Sequence, residues 1–166
     1  SYIFHPVITL LNTGHIETTK GNFLFYIEGV TPAVSRILEA ADSERIAVEK
    51  ALGFKPISAR DYLKKAYGSK GKNLYEVFQD TKPFKDPNIG RGPPDFANRY
   101  ITEDVPYGLV PLASLGHSLN IPTPTAKALI HIASVVNQSD YMREGLTVEK
   151  IGLAGKTVEQ IKEMVS

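Results

Sequence analysis

The sequence predicts a mainly α-helical domain of several short helices with room for one small β-hairpin. Three observations carry this. Apolar residues recur at helical spacing across Val34, Ile37, Leu38, Ala41, Val48 and Leu52, and again across Ala126, Leu129, Ile130, Ala133 and Val136. Two Thr-Pro pairs, Thr31-Pro32 and Thr123-Pro124, place a capping residue directly before a proline suited to the first helical position. No stretch alternates strands with helices, and no Gly-x-Gly-x-x-Gly follows an apolar run, so a doubly wound α/β fold is not expected.

Taken in order, Pro6 to Asn12 reads as one or two helical turns, with Gly14 as the stop. Residues Ile16 to Val30 set Thr, Phe and Tyr around Lys20-Gly21-Asn22, the pattern of a hairpin or a small irregular β segment. Thr31 to Leu52 is a long amphipathic helix that Gly53 ends. Arg36, Glu39, Asp42, Glu44, Glu49 and Lys50 form its solvated face. Ser58 caps a second helix to Tyr67, with Asp61 in its first turn where the helix dipole favours negative charge. Gly68 to Lys72 lacks the Walker spacing and reads as a surface loop. Asn73 to Gln79 reads as a short helix.

Between Asp80 and Asn98, Pro83, Pro87, Gly90, Gly92, Pro93 and Pro94 exclude a helix or a central strand. So long a loop in a small domain suits either a segment that closes over a ligand or a surface excursion. Val105 to Leu119 reads as a helix interrupted at Pro111, and Pro124 to Asn137 as a buried helix. Thr147 to Leu153 and Thr157 to Val165 read as two short Thr-capped helices.

Composition narrows the function classes. The 166 residues suit one domain, spanning 1–166, and a formal net charge of +1 gives no footprint for nucleic acid or a membrane surface. No apolar run approaches the roughly 20 residues that span a bilayer, and a cytoplasmic protein is expected. There is no cysteine, which removes disulfides and thiolate metal sites. His117 and His131 stand 14 positions apart, a separation that matches no metal motif, and no metal is expected. The chain opens on Ser-Tyr-Ile-Phe-His-Pro without an initiator Met, as a piece of a longer protein would.

The chemically suggestive stretch is Arg99-Tyr-Ile-Thr-Glu-Asp-Val-Pro-Tyr-Gly-Leu-Val-Pro111. Arg99 and Asp104 would lie about 140° apart on one helix, so they converge only if the chain turns between them. Spacing alone favours Asp104 as a helix cap and Arg99 as a solvated charge. A lone His5, likewise, is usually a packing residue.

This stretch, together with Phe4-His5-Pro6 near the start, resembles the opine dehydrogenases, the octopine/nopaline dehydrogenase family. The resemblance extends more weakly over nearly the whole chain. It implies the C-terminal helical domain of such enzymes, similar in fold to the C-terminal domain of 6-phosphogluconate dehydrogenase-like enzymes. It also implies an N-terminal Rossmann domain as partner, which these residues do not contain. An Asn that accompanies the His-Pro pair in that family would lie upstream of Ser1. By resemblance, His5 is the acid/base group, Asp104 the carboxylate that orients it, and Arg99 the clamp for a substrate carboxylate. The implied reaction condenses a 2-oxo acid with the amino group of an amino acid and reduces the imine with NADH or NADPH. Residue type fits role: histidine titrates near neutrality, a carboxylate fixes its tautomer, and a guanidinium matches a carboxylate bidentately. Two other classes stay open: a redox-inactive helical binding or dimerisation module, and the substrate domain of a hydroxy-acid dehydrogenase. Homodimerisation is open in each.

Overall fold

The computed structural model describes residues 2–165, and the domain is helical, with no β-strand among those residues. Its centre is α1 (Phe4–Leu10), in which every residue is buried. Around α1 pack α2 (Thr13–Thr19), α3 (Pro32–Ala51), a short α6 (Arg99–Thr102) and α8 (Pro124–Asn137). Helices α4 (Ala59–Tyr67) and α5 (Leu74–Asp80) pack on each other, with α5 against α3. A π-helical stretch, Val105–Leu109, runs into α7 (Val110–Ser118), and both pack on α8. Helices α9 (Tyr141–Glu144) and α10 (Val158–Val165) complete the chain.

The apolar stripe of α3 is buried as its spacing requires, with Leu38 and Ala41 fully inside and Val34, Val48 and Leu52 close to it. Thr31 caps this helix through its hydroxyl, Ser58 caps α4, and Asn73 caps α5. In α8 the inner stripe of Ala126, Leu129, Ile130 and Ala133 is buried, but Ile132 and Val135 on the outer face are exposed. That helix is therefore amphipathic and not buried all round.

Several expectations need correction. Helix α1 begins at Phe4, two residues before Pro6, which stands where the missing N–H still falls among the unpaired donors of the first turn. His5 is consequently inside the helix. Its stop is Asn12, not Gly14: the Asn12 amide donates to Ile8 O and Gly29 O at 2.8 and 2.9 Å. Gly14 lies within α2.

The hairpin over 16–30 does not form. Phe25 and Tyr26 are adjacent and both buried, which a period of two cannot satisfy. The segment instead winds through α2 and a series of turns, and its one ladder-like contact is an antiparallel bridge between Leu24 and Arg91.

The charged face of α3 is not simply solvated. Asp42 is buried and accepts from the Ala59 N–H at 2.8 Å, fixing the start of α4, while Arg45 holds Asp42, Glu49 and the Ile57 carbonyl. Glu44 takes the Thr125 and Ala126 N–H groups at 2.7 and 2.9 Å and caps α8 from across the domain. Thr123, the expected cap of α8, makes no such bond. Around Thr147 to Leu153 only an unfinished turn forms, which ends where Gly152 adopts φ +74°, and Ser114 Oγ accepts from the Val148 N–H. Helix α9, capped by Asp140, was not anticipated.

The 80–98 segment starts with a 3₁₀ turn over Lys82–Lys85 and then docks along 21–25. The Phe25 N–H donates to Gly90 O at 2.6 Å and the Gly92 N–H to Phe23 O at 3.1 Å. Gly21 is required here, since a Cβ would stand 2.4 Å from Pro93 O in a backbone already at φ +74°.

Leu38 is the cleanest measure of the core. Leu38→Ala is expected to lower stability by about 2–5 kcal/mol in chemical denaturation, and Phe54→Ala, at an exposed position, by under about 0.5 kcal/mol.

Candidate active site

His5 cannot sit in the buried first turn of α1 without partners for both ring nitrogens, because an unpaired buried polar atom is costly. The fold supplies them from two distant parts of the chain. Nδ1–H donates to Asp104 Oδ2 at 2.7 Å, across 99 positions of sequence. With Nδ1 carrying the proton toward a carboxylate, Nε2 of the neutral ring is the acceptor, and the Tyr26 hydroxyl donates to it at 2.9 Å. Tyr100 of α6 lies flat on the imidazole, with ring centroids 3.9 Å apart and planes 13° from parallel.

Asp104 reaches His5 because of how the backbone turns. Arg99–Thr102 forms a single helical turn capped by Asn98, and the chain then enters the π stretch directly after Asp104. Such wide turns are frequent at functional positions, since the additional residue re-aims neighbouring side chains. The carboxylate caps nothing in the segment that follows it, so the cap reading of Asp104 does not hold. Its partner is the histidine.

Arg99 is placed differently. It opens α6, next to Tyr100, with its side chain exposed, and it contacts neither His5 nor Asp104. The structure thus brings together two of the three residues expected to share a site, and leaves the third as a free cation at the start of the adjoining turn.

Two aromatic residues, Tyr26 and Tyr100, complete the cluster. Tyr26 stacks on Phe84 at 4.3 Å and meets Phe25 edge-on at 5.0 Å. Burial first, then the neighbouring Tyr100, pushes its phenol far above the ordinary tyrosine range, so it stays protonated. Tyr100 contributes its ring. Neither has a sequence signal beyond being aromatic: Tyr26 lies in a segment of turns, and Tyr100 is one letter inside the motif.

Two hollows lie elsewhere. One of about 280 Å³ is lined by Tyr2, Phe4, Arg45, Glu49 and Tyr62, and another of about 530 Å³ by His131, Val135, Asp140 and Met142. Among the described residues no group of three or more His, Asp or Glu could hold a metal ion, and no helix is long and apolar enough to cross a membrane.

A buried histidine paired with an aspartate, on a helical scaffold beside an arginine-bearing turn, is an arrangement that can hold and exchange a proton. Comparison with known proteins gives the family. Residues 1–137 match the model of the NAD/NADP octopine/nopaline dehydrogenase alpha-helical domain, and the chain belongs to this family. It is 38% identical over 163 residues to an opine dehydrogenase of Arthrobacter sp. (strain 1C), covering 98% of this chain and 44% of that protein. A structure of octopine dehydrogenase with NADH and L-arginine superposes with a TM-score of 0.66 at 24% identity, over 95% of this chain and 48% of that one. A second, with NADH and pyruvate, gives 0.58 at 25% identity, over 94% and 46%. The chain therefore spans about half the length of the proteins it matches.

The pairing is measurable without any substrate. In a double-mutant cycle of His5→Ala and Asp104→Ala, a coupling of about 1–3 kcal/mol is expected by urea denaturation, because either single change strands a partly buried partner. A coupling near zero would show that the contact contributes nothing. Alkaline pH tests the neighbouring hollow. Burial, followed by the Glu49 charge, raises Tyr2 from 10.0 to about 12, so the folded chain holds that proton more tightly than the unfolded chain. The resulting stability is fully present below pH 10 and is lost as pH climbs toward 12. Tyr2→Phe should flatten this fall when unfolding midpoints are followed across that range.

Proposed function

We propose that this chain is the substrate-binding and proton-handling half of an NAD(P)-dependent opine dehydrogenase, an oxidoreductase acting on CH–NH bonds. The observation that carries the reading is the 2.7 Å contact between His5 and Asp104, since these are the positions where the sequence matches the family's two motifs. Family membership weighs against the redox-inactive module, and the relatives' names favour an imine over a hydroxy acid. The substrates proposed are a 2-oxo acid and an amino acid, by analogy with the octopine dehydrogenase structures that hold pyruvate or L-arginine beside NADH.

The roles follow from position. His5 exchanges a proton with the reacting nitrogen, and Asp104 stabilises the imidazolium so formed, keeping Nδ1 as the donor. Arg99, exposed and without a partner of its own, is free to grip the carboxylate of the oxo acid in a planar fork. A nicotinamide cofactor, NAD or NADP, supplies hydride when bound. Nothing among the described residues resembles a strand, glycine loop and helix that would cradle its pyrophosphate, so that task is assigned to an N-terminal Rossmann partner domain. The His5 cluster is on this reading one wall of an interdomain cleft. We further place the protein in the cytoplasm and relate its fold to 6-phosphogluconate dehydrogenase-like C-terminal domains. The exposed Ile132 and Val135 on α8 offer a homodimer its face.

The test mixes NADH or NADPH, pyruvate and a panel of amino acids with the 166-residue chain, and separately with the chain joined to its Rossmann domain. Nicotinamide absorbance should fall only in the second case, and only when both substrates are present. There, His5→Ala should lower kcat by about 10²–10⁴-fold. Arg99→Ala should raise KM for the oxo acid by roughly 10–100-fold, the loss of a charged hydrogen-bond pair. Oxidation by the 166 residues alone would overturn the assignment of the cofactor.

A further inference from the structure

The structure leaves His5 no nitrogen free for a substrate. Nδ1 is held by Asp104 at 2.7 Å and Nε2 by the Tyr26 hydroxyl at 2.9 Å, while Tyr100 covers one face of the ring at 3.9 Å. A substrate could reach Nε2 directly only if Tyr26 moved aside. Tyr26 is poorly placed to do so. It is buried, stacked on Phe84 at 4.3 Å, set edge-on to Phe25 at 5.0 Å and close to Phe78 at 6.4 Å. Swinging the phenol out would open this packed cluster, at the cost of a cavity and of the hydrogen bond together. Moving protons through the hydroxyl costs neither.

Resting on the opine dehydrogenase reading, we propose that Tyr26 is the proton relay between His5 Nε2 and the substrate nitrogen. In the condensing direction, an N–H bond of the substrate ammonium breaks as its proton passes to Tyr26 Oη. The proton that Oη already carries passes in the same step to Nε2. The amine is left neutral, His5 becomes an imidazolium, and the carboxylate of Asp104 faces the new charge. Tyr26 begins and ends as a neutral phenol. No phenolate forms, which is what a hydroxyl buried among aromatic rings requires. In opine oxidation the same steps run backward.

Two readouts test the relay. In the 166-residue chain, ¹⁵N NMR of the imidazole should show Nδ1–H and an Nε2 acceptor, and Tyr26→Phe should move the Nε2 resonance toward that of an unbonded lone pair. An Nε2–H tautomer in the parent chain, or an Nε2 resonance that Tyr26→Phe does not shift, would overturn the proposal whatever the protein catalyses. In the two-domain enzyme, single-turnover rates in mixed H₂O and D₂O should give a curved proton inventory, because two protons move together. Tyr26→Phe should lower kcat by about 10–100-fold with KM nearly unchanged, the lower range of a general acid–base loss. A linear inventory in the parent enzyme refutes the relay even if the variant does not fold, and so does a variant within threefold of the parent kcat. If the parent enzyme turns over no opine, the functional reading fails instead, and the NMR result still stands by itself.

Discussion

Complete burial of α1 is the constraint to which the remaining elements answer, because a helix of seven residues has little stability of its own and is held by what packs on it. Val7 and Ile8 are fully enclosed by neighbours from α3, α6 and α8. The same enclosure imposes a demand, since His5 comes inside with them. A buried imidazole must find two partners or be expelled, and the domain meets that demand from the turn before the π stretch and from the turns after α2. The site is in this sense part of the core's own accounting of polar groups, not an attachment to a finished scaffold.

That arrangement links three otherwise unrelated pieces of chain. Asp104 ties the 99–109 region to α1, Tyr26 ties the 20–30 turns to it, and Phe84 lays the 80–98 segment on Tyr26. Charge does comparable work further out. Asp42, Glu44 and Glu39 on α3 each accept backbone N–H groups from other elements, at the starts of α4, α8 and α5. Helix N-termini need acceptors, and here one long helix supplies several of them, beside the local caps Ser58 and Asn73 at α4 and α5 and in place of Thr123 at α8.

The sequence was most legible where a residue's role is local. Thr31-Pro32, Ser58 and Asn73 announced helix starts, and the stripes of α3 and α8 announced their buried faces. It was least legible where the partner lies far along the chain. Asp42 and Glu44 look like surface charges in any helical projection, and their burial or capping duty depends on where α4 and α8 arrive. The aromatic-rich 16–30 stretch has the composition of strands but pairs of neighbours that must both go inside. For the site, the motif resemblance alone suggested His5 and Asp104 together, residue type being only consistent with it, while spacing favoured a cap for Asp104. The contact across 99 positions shows the pairing. Tyr26 and Tyr100 had no pattern to betray them, and Arg99 proved to be a neighbour of the cluster without being in contact with it.

The docking of 90–93 against 21–25 makes the two segments a single inheritable unit. Gly21 has room for a hydrogen and nothing more against the Pro93 and Gly92 carbonyl oxygens, while a Cβ at Gly92 would meet the outer edge of the Phe23 ring. A bulkier residue at Gly21 must lift one segment from the other, and Phe84 and Tyr26 would part with them. Anyone grafting the 80–98 segment of a relative onto this chain, in search of altered selectivity, would therefore have to carry its 20–26 counterpart along. The seam for such a chimera runs outside both segments, not between them.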